Sequence, residues 1–113
     1  MTTKELTAQE IKELRIAIAE EMGFKNIRYD WINASDSVKD FMHDGGRGIP
    51  FYTDRIDSIR EAAMERFKNQ TDRFAFECWL DRYVTYEIRA WQLTALDWAI
   101  AFAHTAKIWR YKV

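Results

Sequence analysis

The residues best suited to nucleophilic or metal chemistry are few and widely spaced. Cys78 is the only cysteine, and the two histidines are His43 and His104. A catalytic cysteine needs a base beside it, and a zinc site needs three or four ligands. No recognisable ligand or catalytic spacing joins these residues, so we predict no metal, no cofactor and no catalytic residue. The apolar neighbours of Cys78 predict a small buried side chain instead. A lone cysteine also cannot form an internal disulfide, which is typical of a reducing, intracellular compartment.

A glycine-rich segment is the most conspicuous candidate loop. Gly45, Gly46 and Gly48 are three of the four glycines in the chain, and Arg47 lies among them. Phosphate-binding loops follow the patterns GxxxxGK[ST] or GxGxxG, and neither pattern is complete here. We therefore expect a flexible connection. The alternative is a mobile binding loop in which Arg47 contacts a carboxylate or phosphate of a partner.

Three pairs of carboxylates have the spacing that places both members on one helix face, as acid–base catalysis requires. No candidate nucleophile or ligand set accompanies any of them. We interpret them as charges in the first turn of a helix or on a solvated helix face, and His104 as a rim or hydrogen-bonded core residue. The pairs are Asp36/Asp40, Asp54/Asp57 and Glu61/Glu65.

Large aromatic side chains are abundant, with five Trp, five Tyr and seven Phe. A domain of this size buries only about two-thirds of its unfolded surface, so some large rings remain accessible. Tryptophan is enriched where proteins bind one another. We therefore predict that Trp98 or Trp109, with Trp91 nearby, contributes to an interface, while most other rings fill the core.

The first third of the chain predicts a helix and a short strand. Thr7 and Glu10 have the spacing of a capping box, apolar residues recur at helical spacing behind them, and Gly23 occupies the position of a left-handed helix stop. This pattern predicts a helix over 8–22. Residues 24–32 alternate Ile27, Tyr29 and Trp31, which predicts a short strand.

The middle of the chain predicts a long connection and then a second helix. Within 33–52 we expect a short helical turn that begins near Ser35 and carries Phe41 and Met42. Thr53 is a favourable N-cap, and the apolar stripe behind it predicts a helix over 54–67.

The last third is more ambiguous. Residues 72–84 fit a helix better than a strand, although their aromatic residues keep the strand as an alternative. Residues 85–91 predict a second strand. A fourth helix begins after Thr94, with Asp97 in its first turn. So few residues up to 107 are polar that we expect this helix to be buried on most sides.

Composition limits the class of protein. The chain has 113 residues, 48% hydrophobic and 31% charged, with a net charge of −1. These values exclude disorder, and the charge balance argues against a general nucleic-acid binder. The longest apolar run, 98–103, is too short to cross a membrane, and no apolar stretch near the start resembles a signal peptide. We predict a single α+β domain over 1–113, with three or four helices packed on a small short-stranded sheet.

Three stretches resemble patterns of the phage ABA sandwich domain family. Residues 49–58, IPFYTDRIDS, are similar to the signature IPxYxxxLDA, with Ile56 for leucine and Ser58 for alanine. Residues 94–110 are similar to TAxxxAxAFxxTxxxWK/R, and residues 22–25 resemble the MGW that closes the family's first helix. The chain departs from the family at Trp98 and Ile108, where polar residues are common, so its last helix is more apolar than usual.

The resemblance implies an α/β/α layered fold and carries over no catalytic residue. It implies a non-enzymatic phage accessory protein in the cytoplasm of an infected or lysogenic bacterium. We expect it to bind a host macromolecule, most plausibly a protein such as a defence or metabolic enzyme that it inhibits. The apolar last helix leaves a homo-oligomer open. The alternative function is sequestration of a small nucleotide-type ligand in a pocket lined by aromatic residues and Arg47 or Arg89.

Overall fold

The computed structural model describes residues 6–31, 39–44, 48–82 and 92–108. Within these ranges the chain forms four helices and one antiparallel hairpin, and the helices share a single core, which confirms the α+β single domain. In chain order the elements are α1 (Ala8–Glu21), β1 (Arg28–Trp31), β2 (Lys39–Met42), α2 (Ile56–Arg66), α3 (Gln70–Asp81) and α4 (Ala95–Ala106).

Helix α4 is the centre of the fold, because α1, α2 and α3 all pack against it. Every residue from Ala99 to Ala103 is buried, as its sparse polarity predicts. The alanines in this run let the neighbouring helices approach closely. Thr94 and Asp97 form a capping box at the start of the helix.

Helix α1 matches its prediction closely. Thr7 and Glu10 form the capping box, and the helix ends before Gly23, whose φ of +98° is the left-handed conformation expected of a helix stop. Leu14 and Ile18 are fully buried. A charged residue, Arg15, also lies on the buried face of this helix.

The hairpin pairs β1 with β2, with Tyr29 opposite Phe41 and Arg28 opposite Met42. The predicted strand is confirmed over the second part of 24–32. The helical turn predicted to carry Phe41 and Met42 is wrong, since both residues belong to β2, whose hydrogen bonds to β1 outweigh the local signal. The part of this turn within 32–38 lies outside the described residues.

Helix α2 begins later than predicted, at Ile56, and its N-cap is Arg55 instead of Thr53. The backbone N–H groups of Asp54 and Arg55 both donate to the carbonyl of Phe51. This turn occupies the residues that the prediction assigned to the first helical turn. Thr53 is buried within it, and only Asp57 of the predicted acidic pair lies in the first turn of the helix.

Helix α3 confirms the helical interpretation and excludes the strand for 70–81. It begins after Asn69, whose side chain accepts from the backbone N–H of Asp72, and it ends with Arg82 as its C-cap. The prediction that Cys78 is buried is wrong, because its side chain is exposed. Phe76 faces the core, and a residue two positions further along lies about 200° around the helix.

Some predictions concern residues outside the described ranges. The strand predicted over 85–91 is among them, as are Arg89, Trp91 and Trp109. In the described part of the chain, no helix is long and apolar enough to span a membrane.

Candidate functional site

An open groove runs between α2 and α3, with α4 beneath it, and its volume is about 290 Å³. We call it the α2–α3 groove. Its apolar lining is formed by Ala63, Met64, Phe67, Phe76, Leu80 and Trp98, and its charged residues are Arg60, Arg73 and Glu77.

Tilted aromatic rings form the floor of the groove, where Phe67 and Phe76 line it and Phe102 supports Phe67 from the core. The Phe67 ring lies 5.2 Å from that of Phe76 and 5.0 Å from that of Phe102, measured between centroids. All three side chains are buried, so the floor is fixed by the same packing that holds α2, α3 and α4 together. A rigid floor of this kind favours binding, because little conformational entropy is lost when a partner arrives.

Trp98 connects this floor to the charged rim. Its half-buried ring meets the edge of Phe76 at 5.4 Å, and the guanidinium carbon of Arg60 lies 5.4 Å from its centroid. The ring therefore carries a cation on one side and an aromatic neighbour on another. Of the tryptophans that the sequence predicts at an interface, Trp98 is the one within the described residues, and it lies in the α2–α3 groove.

Met64 is the most accessible apolar residue of the groove, with 63% of its surface exposed. It lies on α2 one turn after Arg60, and Arg73 and Glu77 are one turn apart on α3. Among the described residues, neither Arg60 nor Arg73 forms an ion pair with a carboxylate. The groove thus offers apolar surface beside two exposed arginines.

A second polar cluster is buried and closed. The Arg15 guanidinium forms a bidentate pair with Asp40 at 2.6 and 2.9 Å and donates to the carbonyls of Ile49 and Pro50. Burial raises the pKa of Asp40. The hydrogen bonds from Arg15 and from the Phe41 backbone, together with the charge of Arg15, lower the pKa by more, so it lies below its usual value. The cluster ties α1 to the hairpin and to the segment after it.

A third cluster stacks two rings and a guanidinium. His104 of α4 lies parallel to the Trp79 ring at 4.0 Å, and the guanidinium carbon of Arg82 is also 4.0 Å from that ring. Burial and the charge of Arg82 lower the pKa of His104. The stack joins α3 to α4 and places the half-buried His104 in a packing contact; of the two predicted roles, rim or hydrogen-bonded core residue, this contact fits the rim.

The other candidate residues are placed as follows. Gly48 forms an isolated antiparallel bridge with Met42, so it extends the hairpin edge. Gly45, Gly46 and Arg47 lie outside the described residues. His43 packs edge-on against Phe24 at the end of α1. Within the described ranges, no group of three or more His, Cys, Asp or Glu side chains is arranged to hold a metal ion.

Sequence reasoning missed most of the α2–α3 groove. Met64 was the available signal, since it lies next to Ala63 but off the stripe of Ile56, Ile59 and Ala63 that predicts the buried face of α2. An apolar residue at the edge of a stripe is a candidate for a surface contact. Arg60 and Arg73 carry no such signal, because charged residues on a solvated helix face are expected in any case.

The chain matches no protein-family model, no curated protein and no solved structure. The resemblance to the phage ABA sandwich domain family therefore stays a prediction.

Proposed function

We propose that this protein acts without catalysis, by binding another protein through the α2–α3 groove. The observation that carries the proposal is the exposed apolar surface of Met64 beside Trp98, on a fixed aromatic floor. Two arginines adjoin it that form no ion pair within the described ranges. Tryptophan, methionine and arginine are enriched in protein interfaces, and tryptophan and arginine also among their binding hot spots.

The shape of the groove favours a protein partner over an enclosed small molecule. Ligand pockets typically range from about 300 to 1,000 Å³ and bury most of the ligand. The α2–α3 groove lies at the lower limit of this range, and Met64 at its edge is largely accessible. The small-ligand alternative depends on Arg47 or Arg89, both outside the described residues, and no described feature favours it.

The resemblance to the phage ABA sandwich domain family suggests where the partner is found. A phage accessory protein acts inside an infected or lysogenic bacterium, so we propose that the partner is a host protein, such as a defence or metabolic enzyme that binding inhibits.

Affinity capture from host lysate with a matched pair of variants tests the proposal. Met64→Glu introduces a charge into the groove, and Tyr29→Glu introduces the same charge on the hairpin, at a residue of similar exposure (57%). We expect wild type and Tyr29→Glu to retain one stoichiometric host protein that Met64→Glu loses.

Two results would contradict the proposal. Equal capture by both variants would place the binding surface elsewhere. A co-purifying nucleotide without a protein partner would instead favour the sequestration of a small ligand.

A further inference from the structure

Assuming that the α2–α3 groove is a protein-binding surface, as proposed above, its geometry and charge also define the partner. We infer that the bound segment is an amphipathic α-helix that carries acidic residues beside its apolar anchors.

The two walls of the groove have the length of a short helical segment. One wall is lined at positions 60, 63, 64 and 67, and the other at positions 73, 76, 77 and 80, so each extends over about two helical turns. Seven residues of a helix span about 10 Å along its axis. A partner helix with anchors at i, i+4 and i+7 therefore matches the groove, which is the way amphipathic helices bind between two helices.

The charges around the groove select an acidic partner. Arg60 and Arg73 outnumber Glu77, and neither arginine has an ion pair among the described residues. A carboxylate on the partner can bind each guanidinium in a bidentate manner. Complementary charge of this kind selects partners and speeds their association.

The same observations disfavour two other occupants. A symmetric dimer places the same patch on both sides of its interface, so two positively charged grooves would face each other. An anionic membrane would complement the arginines, but it needs apolar side chains that protrude into lipid. Phe67 and Phe76, only 2% and 5% exposed, are recessed in the floor and cannot insert into lipid.

The test uses two synthetic peptides of about 16 residues, long enough to favour a helix. Both carry leucine at i, i+4, i+7 and i+11 and alanine at some of the positions between the leucines. All other positions are Glu in one peptide and Lys in the other. Binding is followed by NMR of the protein labelled with ¹³C-methyl methionine. Met64 reports on the groove, whereas Met42, 6% exposed and on β2, reports on the rest of the fold.

We expect the acidic peptide to shift the Met64 methyl resonance saturably and to leave that of Met42 unchanged. The basic peptide should bind about tenfold more weakly, because two exposed charge pairs contribute on that scale. The double variant Arg60→Glu/Arg73→Glu should reverse this preference. Lys12→Glu on the exposed face of α1 is the matched control and should preserve it.

Other outcomes would overturn the inference. One is that the two peptides bind equally or not at all. Another is that the Met64 resonance shifts with protein concentration alone, as in a dimer. The third is that only anionic phosphatidylglycerol vesicles shift it, as for a membrane-binding surface. Equal binding at Met64 would leave the groove as a protein-binding surface and remove only its acidic helical partner. Capture unaffected by Met64→Glu would remove the proposed function itself.

Discussion

At the level of single residues, Arg15 is a charged side chain in a buried site. It is 7% exposed, and its side chain donates to Asp40 and to two backbone carbonyls. The guanidinium carbon also lies 4.4 Å from the Phe51 ring centroid. Because these acceptors are satisfied by one side chain, the loss of Arg15 leaves a carboxylate and two carbonyls without their donor.

We expect Arg15→Met to lower the free energy of unfolding by about 3 kcal/mol, the usual cost of breaking a buried ion pair. Urea denaturation at pH 7 measures the loss. Arg66→Met is the matched control, because Arg66 pairs with Glu21 at 2.8 Å on a more exposed surface, and it should cost less than about 1 kcal/mol. Equal losses for both variants would contradict a special role for Arg15.

The same ion pair predicts a response to acid. The pKa of Asp40 is lower in the folded protein than its ordinary value of 3.8. Its contribution to stability is therefore complete above 3.8 and is lost as the pH falls through the folded value. We expect Asp40→Asn to be less stable than wild type at pH 7 and to lose less stability below pH 3.8. A parallel pH profile for the two proteins would show that Asp40 does not titrate in this way.

His104 predicts a second pH effect, at higher pH. Burial and Arg82 lower its pKa from 6.5, so the unfolded chain binds this proton more readily than the folded protein. The free energy of unfolding therefore rises with pH between the folded-state pKa of His104 and about 6.5, and it falls as the pH drops below about 6.5. We expect His104→Gln to flatten the profile of urea midpoints there. A wild-type profile retained by the variant would assign the effect to other groups.

At the level of elements, most boundaries that the sequence predicts correctly are caused by residues close to one another in the chain. The capping boxes of α1 and α4 and the stop at Gly23 involve residues within four positions of each other, and the sequence identifies them correctly. By contrast, β2 depends on its pairing with β1, which no local pattern shows. The start of α2 is local as well, but the turn closed by the Phe51 carbonyl takes up the residues that would otherwise form a helical turn capped by Thr53.

The missing cap of α2 gives a prediction for this element. Arg55 is the N-cap and makes no side-chain cap hydrogen bond, and its positive charge lies at the positive end of the helix dipole. We expect Arg55→Asp to raise the free energy of unfolding by about 1 kcal/mol through both effects. Arg55→Ala separates them, since it removes the charge without adding a cap. Destabilisation by Asp would contradict the assigned helix start.

At the level of the whole molecule, the core and the candidate site share one set of side chains. Phe102 of α4 supports Phe67, and Phe67 supports the groove floor at Phe76. This explains why the sequence points to Trp98 but not to the groove. Residues of three helices form the groove, and a pattern read along one helix cannot show which faces meet.

We expect Phe102→Ala to cost about 4 kcal/mol, as large-to-small changes of buried phenylalanine do, and also to weaken partner binding by loosening the floor. Urea denaturation and capture measure the two effects. Met64→Ala, which removes an exposed side chain, should weaken binding while changing stability by less than about 0.5 kcal/mol. Unchanged partner binding in both variants would show that the groove is not the binding surface.

Hydrogen–deuterium exchange, compared between the captured complex and the free protein, shows whether the partner binds at the α2–α3 groove. We expect slower exchange in Ile56–Arg66 and Gln70–Asp81, with no change in the hairpin strands Arg28–Trp31 and Lys39–Met42. Protection confined to the hairpin, or to residues outside α2 and α3, would contradict the claim.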